Sequence, residues 1–257
     1  MPRVVQLPDI HKVDLPEARQ AIPHVHAYLR ECILDGTLTP GTKLSQVSLA
    51  RQLGISRTPL REVLRMLQEE GLVEIEPNQR TRVAGLNPAE LDGEYASRIL
   101  LETLALSMTL GHFGAASRKE AKRLLTGMRR AARTGDFGAW FGAHADYHRL
   151  VTAAAGETLQ RQLRAFADRT TRYIRIYQLS APGSWQTSGD VEHAQILAAL
   201  IAGDEPGALT GMAHHLARTA LRVLADCAPD YEPVAVPHAV ALIERQPPAK
   251  LRLTQAQ

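Results

Sequence analysis

The residues of this chain best suited to chemistry are histidines. His144 and His148 stand four apart in FGAHADYHRLV. At helical spacing their side chains project about 40° apart on one face, close enough to share a metal ion, while Asp146 points away. His193 in VEHAQIL is a third candidate, and His214 and His215 follow the Gly203-Asp204-Glu205-Pro206 break. Imidazole nitrogen suits zinc, nickel, cobalt, copper or iron(II), and three or four such groups inside a helical bundle make a transition-metal site. Against this, the chain has ten histidines, and any single one is more simply a core or surface residue. No histidine-glutamate zinc motif supplies the general base that a metal-dependent hydrolase requires.

Arginines form the second group. Between Lys43 and Arg65 there are five basic residues, Lys43, Arg51, Arg57, Arg61 and Arg65, against one acid, Glu62. The whole chain carries only +3, so its positive charge is concentrated in one short stretch. Arg57 and Arg61 share a helical face and stand beside Ser56 and Thr58. Arginine there can bond a guanine edge bidentately or clamp a phosphate.

These groups need elements to hold them. Ile22, Val25, Leu29, Ile33 and Leu34 repeat at helical spacing until Asp35-Gly36. A Pro-Gly turn follows, then a short helix capped by Ser45 and ended by Gly54. A third helix starts at Ser56, tolerates Pro59 in its first turn and buries Leu60, Val63, Leu64 and Leu67. Two short helices joined by a three-residue turn form a helix-turn-helix, whose second helix enters the major groove. Val73, Ile75 and Val83 then alternate with polar residues around a Pro-Asn turn, which predicts a β-hairpin wing carrying Arg80 and Arg82. From Asn87-Pro88 to Ala228 only helical patterns occur, with glycine-bearing breaks that divide them into about six helices. Five prolines beyond Cys227 predict an extended tail with at most a short helix across HAVALIER.

The fold class is therefore mainly α, with a winged helix-turn-helix and an all-helical bundle. The expected divisions are an arm at 1–20, a DNA-binding domain at 21–86, a ligand-binding domain at 87–228 and a proline-rich tail at 229–257. At 257 residues two domains are reasonable, and no apolar run approaches the roughly 20 residues that span a bilayer. The absence of a secretory h-region, with Cys32 and Cys227 far apart, points to the cytoplasm.

The segment ILDGTLTPGTKLSQVSLARQLGISRTPLREVLRMLQEEGLVEI resembles the GntR family of bacterial transcriptional regulators, with SRTPLREVL as its most specific block. The resemblance implies operator contacts at Arg51, Arg57, Thr58 and Arg61. It departs at the wing, where Arg80 stands near a glycine usual in the family. After residue 90, SRILLETLALSMT, DYHRLVTAAAG and EHAQILAALIAGDEPGALTGMAHHL resemble the FCD-type effector domain of the FadR-like subgroup. That likeness implies metal ligands at His144, His148, His193 and His215, with His144 where the subgroup has aspartate, and makes His214 a neighbouring decoy. Losing a negative ligand favours a nitrogen-rich site for zinc, with nickel, cobalt, iron or copper as alternatives, over calcium or magnesium. The resemblance further implies a carboxylate effector, with Arg98 as its leading partner, Arg172 and Arg175 as weaker ones, and Glu157 as an acid near the pocket where asparagine is usual.

These features predict a dimeric repressor that is not an enzyme. Its partners are operator DNA, a small metabolite and a second copy of itself. The alternatives are a regulator with a metal-free pocket and, from a different class, a metal-dependent hydrolase, which would leave the DNA-binding half unexplained.

Overall fold

The computed structural model of the chain describes residues 18–75, 81–85, 87–180 and 186–245, excluding the side chains of 18–21, 137, 172, 175–180 and 186–188. Most of the expected arm, the turn of the wing and the end of the tail lie outside these residues.

The first unit comprises α1 (Ala18–Leu34), β1 (Lys43–Leu44), α2 (Gln46–Leu53), α3 (Arg57–Glu69), β2 (Val73–Ile75) and β3 (Thr81–Val83). The Ser45 hydroxyl accepts from the Ser48 backbone N–H at 3.3 Å and so caps α2. Gly54 ends α2 at φ +66°, in the left-handed region open to glycine, and lets the chain reverse into α3. On α3, Leu60, Val63, Leu64 and Leu67 are all fully buried against α1 and α2. Each such burial contributes roughly 1.5–3 kcal/mol. The hairpin pairs Val73 with Val83 and Ile75 with Thr81, and β1 joins the far side of β3, giving the order β1-β3-β2.

The six helices expected between Glu90 and Ala228 are α4 (Pro88–Leu110), α5 (Ala115–Thr134), α6 (Phe137–Val151), α7 (Gly156–Ser180), α8 (Gln186–Ala202) and α9 (Glu205–Cys227). Asn87 caps α4 by accepting from Glu90 N–H at 3.2 Å. The helices share one core around Tyr95, Ile99, Leu106, Tyr147, Met212 and Val223. No helix among the described residues is long and apolar enough to cross a membrane.

The short helix allowed across HAVALIER is α10 (Ala235–Glu244), which starts three residues earlier than that segment, packs on α4 and α9 and buries Val236 and Ala239. Pro237 falls in its first turn, where a missing N–H costs nothing. The start of α10 is held by a residue 142 positions upstream: Asp92 of α4 accepts from the N–H groups of Val234, Ala235 and Val236 at 2.8–2.9 Å, and from the Tyr231 hydroxyl. Burial raises the pKa of Asp92, but these donors outweigh it and leave the carboxyl below its ordinary value.

A carboxylate of depressed pKa stabilises the fold above the unfolded value near pH 4 and loses that effect as pH falls through the folded value. Asp92→Ala is expected to lower stability by about 2–3 kcal/mol at pH 7, and by much less at pH 3, where wild type has begun to lose the same interaction. Urea unfolding at both pH values checks this; equal midpoints at pH 7 would remove Asp92 from the role.

Candidate functional site

Four histidines from three helices converge inside the second unit: His144 and His148 from α6, His193 from α8 and His215 from α9. One nitrogen of each lies within 4.8 Å of the others. His148, His193 and His215 are buried and His144 is half-buried, stacked on Trp140 with ring centres 4.7 Å apart. His214, one residue from His215, points outward and pairs with Glu244 of α10.

The outer nitrogens of two of these rings are fixed by carboxylates. His148 Nδ1 donates to Glu102 Oε2 at 2.8 Å, and His215 Nδ1 donates to Glu192 Oε2 at 2.8 Å. A ring that gives its Nδ1 proton to a carboxylate presents the Nε2 lone pair on its other side. Burial, and then the neighbouring histidines, hold His144, His193 and His215 well below the ordinary imidazole range, although for His193 a hydrogen bond to the Gly189 backbone opposes this. His148 Nε2 and His193 Nε2 are 3.4 Å apart, the separation of about 3.3–3.4 Å expected between two nitrogens on one tetrahedral zinc ion. Four converging imidazole nitrogens, two of their rings held by carboxylates, fit a transition-metal ion.

Behind His148 lies a buried polar chain. Glu102 Oε1 accepts from Arg98 Nε at 2.8 Å and from a terminal guanidinium nitrogen at 2.7 Å, and the other terminal nitrogen of Arg98 donates to Thr170 Oγ1 at 2.7 Å. Burial alone would raise the Glu102 pKa, but Arg98 and then His148 bring it down to about 2. The guanidinium expected to receive an effector carboxylate is thus paired with Glu102, and it also lines the small cavity beside His144, His193 and His215. Glu157 needs a correction: it lies in the exposed first turn of α7, where a carboxylate complements the positive helix end, and it lines neither cavity beside the histidines. The Arg172 and Arg175 side chains lie outside the described residues.

Thr170 leads to the first unit. Its neighbour Asp168 receives Arg30 of α1 at 2.6 Å, and Arg30 also bonds Glu70. Arg169 pairs with Glu94 of α4 and packs on Gly71, where a Cβ would lie 3.1 Å from its Cδ. Gly71 has φ +71° and so admits this close approach. Tyr173 donates to the Gly85 carbonyl at 3.3 Å. Helix α7 thus touches both the histidine support and the winged helix.

On the first unit Arg51, Ser56, Arg57, Thr58 and Arg61 are exposed at one end of the helix-turn-helix. Among the described residues Arg51, Arg57 and Arg61 form no ion pair, whereas Arg65 is engaged by Glu62 and Glu69. Arg82 is exposed but sits opposite Glu74 in register and pairs with it at 2.7 Å. Arg80 lies outside the described residues. Glu192 and Thr170 gave no signal in the sequence, because their roles depend on which helices become neighbours; Glu102 lies one helical turn from Arg98 on α4.

Residues 2–83 match the family described as bacterial regulatory proteins, gntR family, and residues 94–218 match the FCD domain. An HTH-type transcriptional regulator from the TAR-I ttuE-ttuC' intergenic region of Agrobacterium vitis is 33% identical over 133 residues, covering 50% of this chain and 77% of the relative. A probable D-xylose utilization operon transcriptional repressor of Paenarthrobacter nicotinovorans is 29% identical over 185 residues, 72% of this chain and 80% of the relative. The structure of E. coli McbR/YncC aligns with a TM-score of 0.66 at 23% identity, over 82% of this chain and 99% of that one. The winged helix and the helical bundle define a DNA-binding transcriptional regulator. The chain belongs to the GntR family and carries an FCD domain.

Removing one partner of a buried ion pair strands the other. Glu102→Ala is therefore expected to cost about 3–5 kcal/mol, and Glu102→Gln less, because the amide can still accept from Arg98. Chemical denaturation of the three proteins checks the order; equal stability of wild type and Glu102→Ala would mean that Arg98 is satisfied without Glu102.

Proposed function

We propose that this regulator is a metal-dependent repressor that releases or engages its operator when a small carboxylate metabolite binds the helical domain. The observation that carries the reading is the set of four buried or half-buried histidine nitrogens, two of them oriented by carboxylates. His144, His148, His193 and His215 would hold one transition-metal ion, zinc before nickel, cobalt, iron or copper. When bound, the ion supplies a Lewis-acidic anchor for an effector oxygen. The protein's own residues do the rest. Glu102 and Glu192 orient two ligand rings, Arg98 fixes Glu102, and Thr170 passes any shift of that pair to α7, which contacts Arg30, Gly71 and Gly85 near the DNA-binding elements.

Operator recognition is assigned to Arg57, Thr58 and Arg61 at the start of α3, with Arg51 on α2 and Arg82 on the wing holding phosphate. The same assay series tests both halves: metal content and affinity for a duplex selected from a random library, for wild type, His148→Ala and Arg57→Ala. His148→Ala is expected to lose about one metal ion per chain. Arg57→Ala should keep the metal and weaken DNA binding by about 1–3 kcal/mol. Wild-type protein that holds no metal after growth in metal-replete medium would favour the pocket without a metal ion.

The homodimer is proposed from α4, where Leu100, Leu104 and Met108 lie 39%, 51% and 45% exposed at four-residue intervals, an apolar stripe suited to a second copy of itself. Leu104→Asp is expected to shift the sedimentation coefficient to that of a monomer at micromolar concentration; a monomeric wild type, or a variant that remains dimeric, would exclude this face.

A further inference from the structure

We propose that the effector's acidic group is read by Arg129 and Arg133 of α5, in a cavity between α5, α6 and α8, and that Asp190 occupies that seat until the effector replaces it. The proposal rests on the reading above in one respect, that the helical domain takes an effector, and it names where that effector sits and what chemistry it carries.

Two cavities adjoin the histidines. The one lined by Arg98, His144, His193 and His215 measures about 10 Å³, room for about one water. The other measures about 500 Å³, within the range of small-molecule sites. Buried His193 lines both, so the larger cavity reaches the cluster at His193, and Arg98 is not among its lining residues. Met128, Ala132 and Trp140 give it an apolar wall, and Trp140 stacks on His144 behind it.

Its charged wall has a defined pattern. Arg129 and Arg133 stand one helical turn apart and both line the cavity. Arg129 Nε donates to both carboxylate oxygens of Asp190, at 3.0 and 2.8 Å. A carboxylate thus already sits on Arg129 at the exposed rim of a half-open cavity, and two cations against one acid leave the lining positive. The ligand suited to this arrangement is a small organic acid with an apolar or aromatic body, its carboxylate on the arginine pair and its other end toward His193. Asp190 lies three residues before His193 on α8, and His193 bonds the backbone of Gly189, next to Asp190. Exchange of Asp190 for the ligand's carboxylate therefore acts on the segment that positions a cluster histidine.

The test is calorimetric titration of the full chain with benzoate, phthalate, succinate and glutarate, each beside its uncharged amide, with metal content measured in every sample. At least one acid is expected to bind saturably, with its amide about tenfold weaker or worse. Arg129→Gln and Arg133→Gln should each weaken that binding about tenfold while leaving the metal content of wild type, and Asp190→Asn should tighten it by removing the internal competitor. Arginine-dependent binding to protein that holds no metal would support this site and refute the metal-dependent reading. Binding untouched by both arginine substitutions but lost in His148→Ala would overturn this site and leave the metal-dependent reading standing. No saturable binding by any of the four acids would also overturn it.

Discussion

The helical domain is organised around one buried ion pair, Arg98 with Glu102. Both side chains are about 95% enclosed, and a buried pair is weak evidence for stability, because desolvation offsets most of its attraction. Its value here lies in direction. Glu102 has two oxygens, one on Arg98 and one on His148, and Arg98 has a remaining nitrogen on Thr170. The pair converts the position of an imidazole on α6 into the position of a hydroxyl on α7. An apolar replacement of the same volume would fill the space and transmit nothing.

Helix α7 meets both that chain and, through Asp168, Arg169 and Tyr173, residues of or next to the DNA-binding unit. Its contacts with that unit are chiefly polar and sit in a groove lined by Gly71, Glu94 and Arg169. Polar junctions of this kind shift at lower cost than a shared apolar core, which is compatible with the effector-controlled regulation proposed above.

Much of this was legible in the sequence because it obeys short periods. The stripe Leu60, Val63, Leu64, Leu67 specified the recognition helix, Ser45 and Asn87 marked helix starts, and the i,i+4 spacing of His144 and His148 put two candidate ligands on one face. The choice of His215 over His214 came from family register, since adjacent residues cannot be distinguished by composition. Strand β1 is two residues long and too short to carry an alternation. Helix α10 was legible only as a short helix across HAVALIER, because its flanking prolines count as breakers locally and the partner that holds its start, Asp92, lies far upstream. Arg98 and Glu102 stand four apart on one helix, so their pairing was within reach of the sequence; what the sequence did not show is that both would be buried against His148 of α6.

The ion pairs of Arg65 bear on how α3 can lie on a duplex. With Arg65 neutralised by Glu62 and Glu69, the helix presents net positive charge only over its first turn and a half, around Arg57 and Arg61. A polyanion therefore meets attraction at one end of the helix and carboxylates at the other, an electrostatic gradient along its axis. For the operator contacts proposed at Arg57 and Arg61, such a gradient disfavours approaches in which the helix lies flat along a phosphate ridge and favours insertion by its N-terminal end, which gives the acidic residues of α3 a part in its angle of entry.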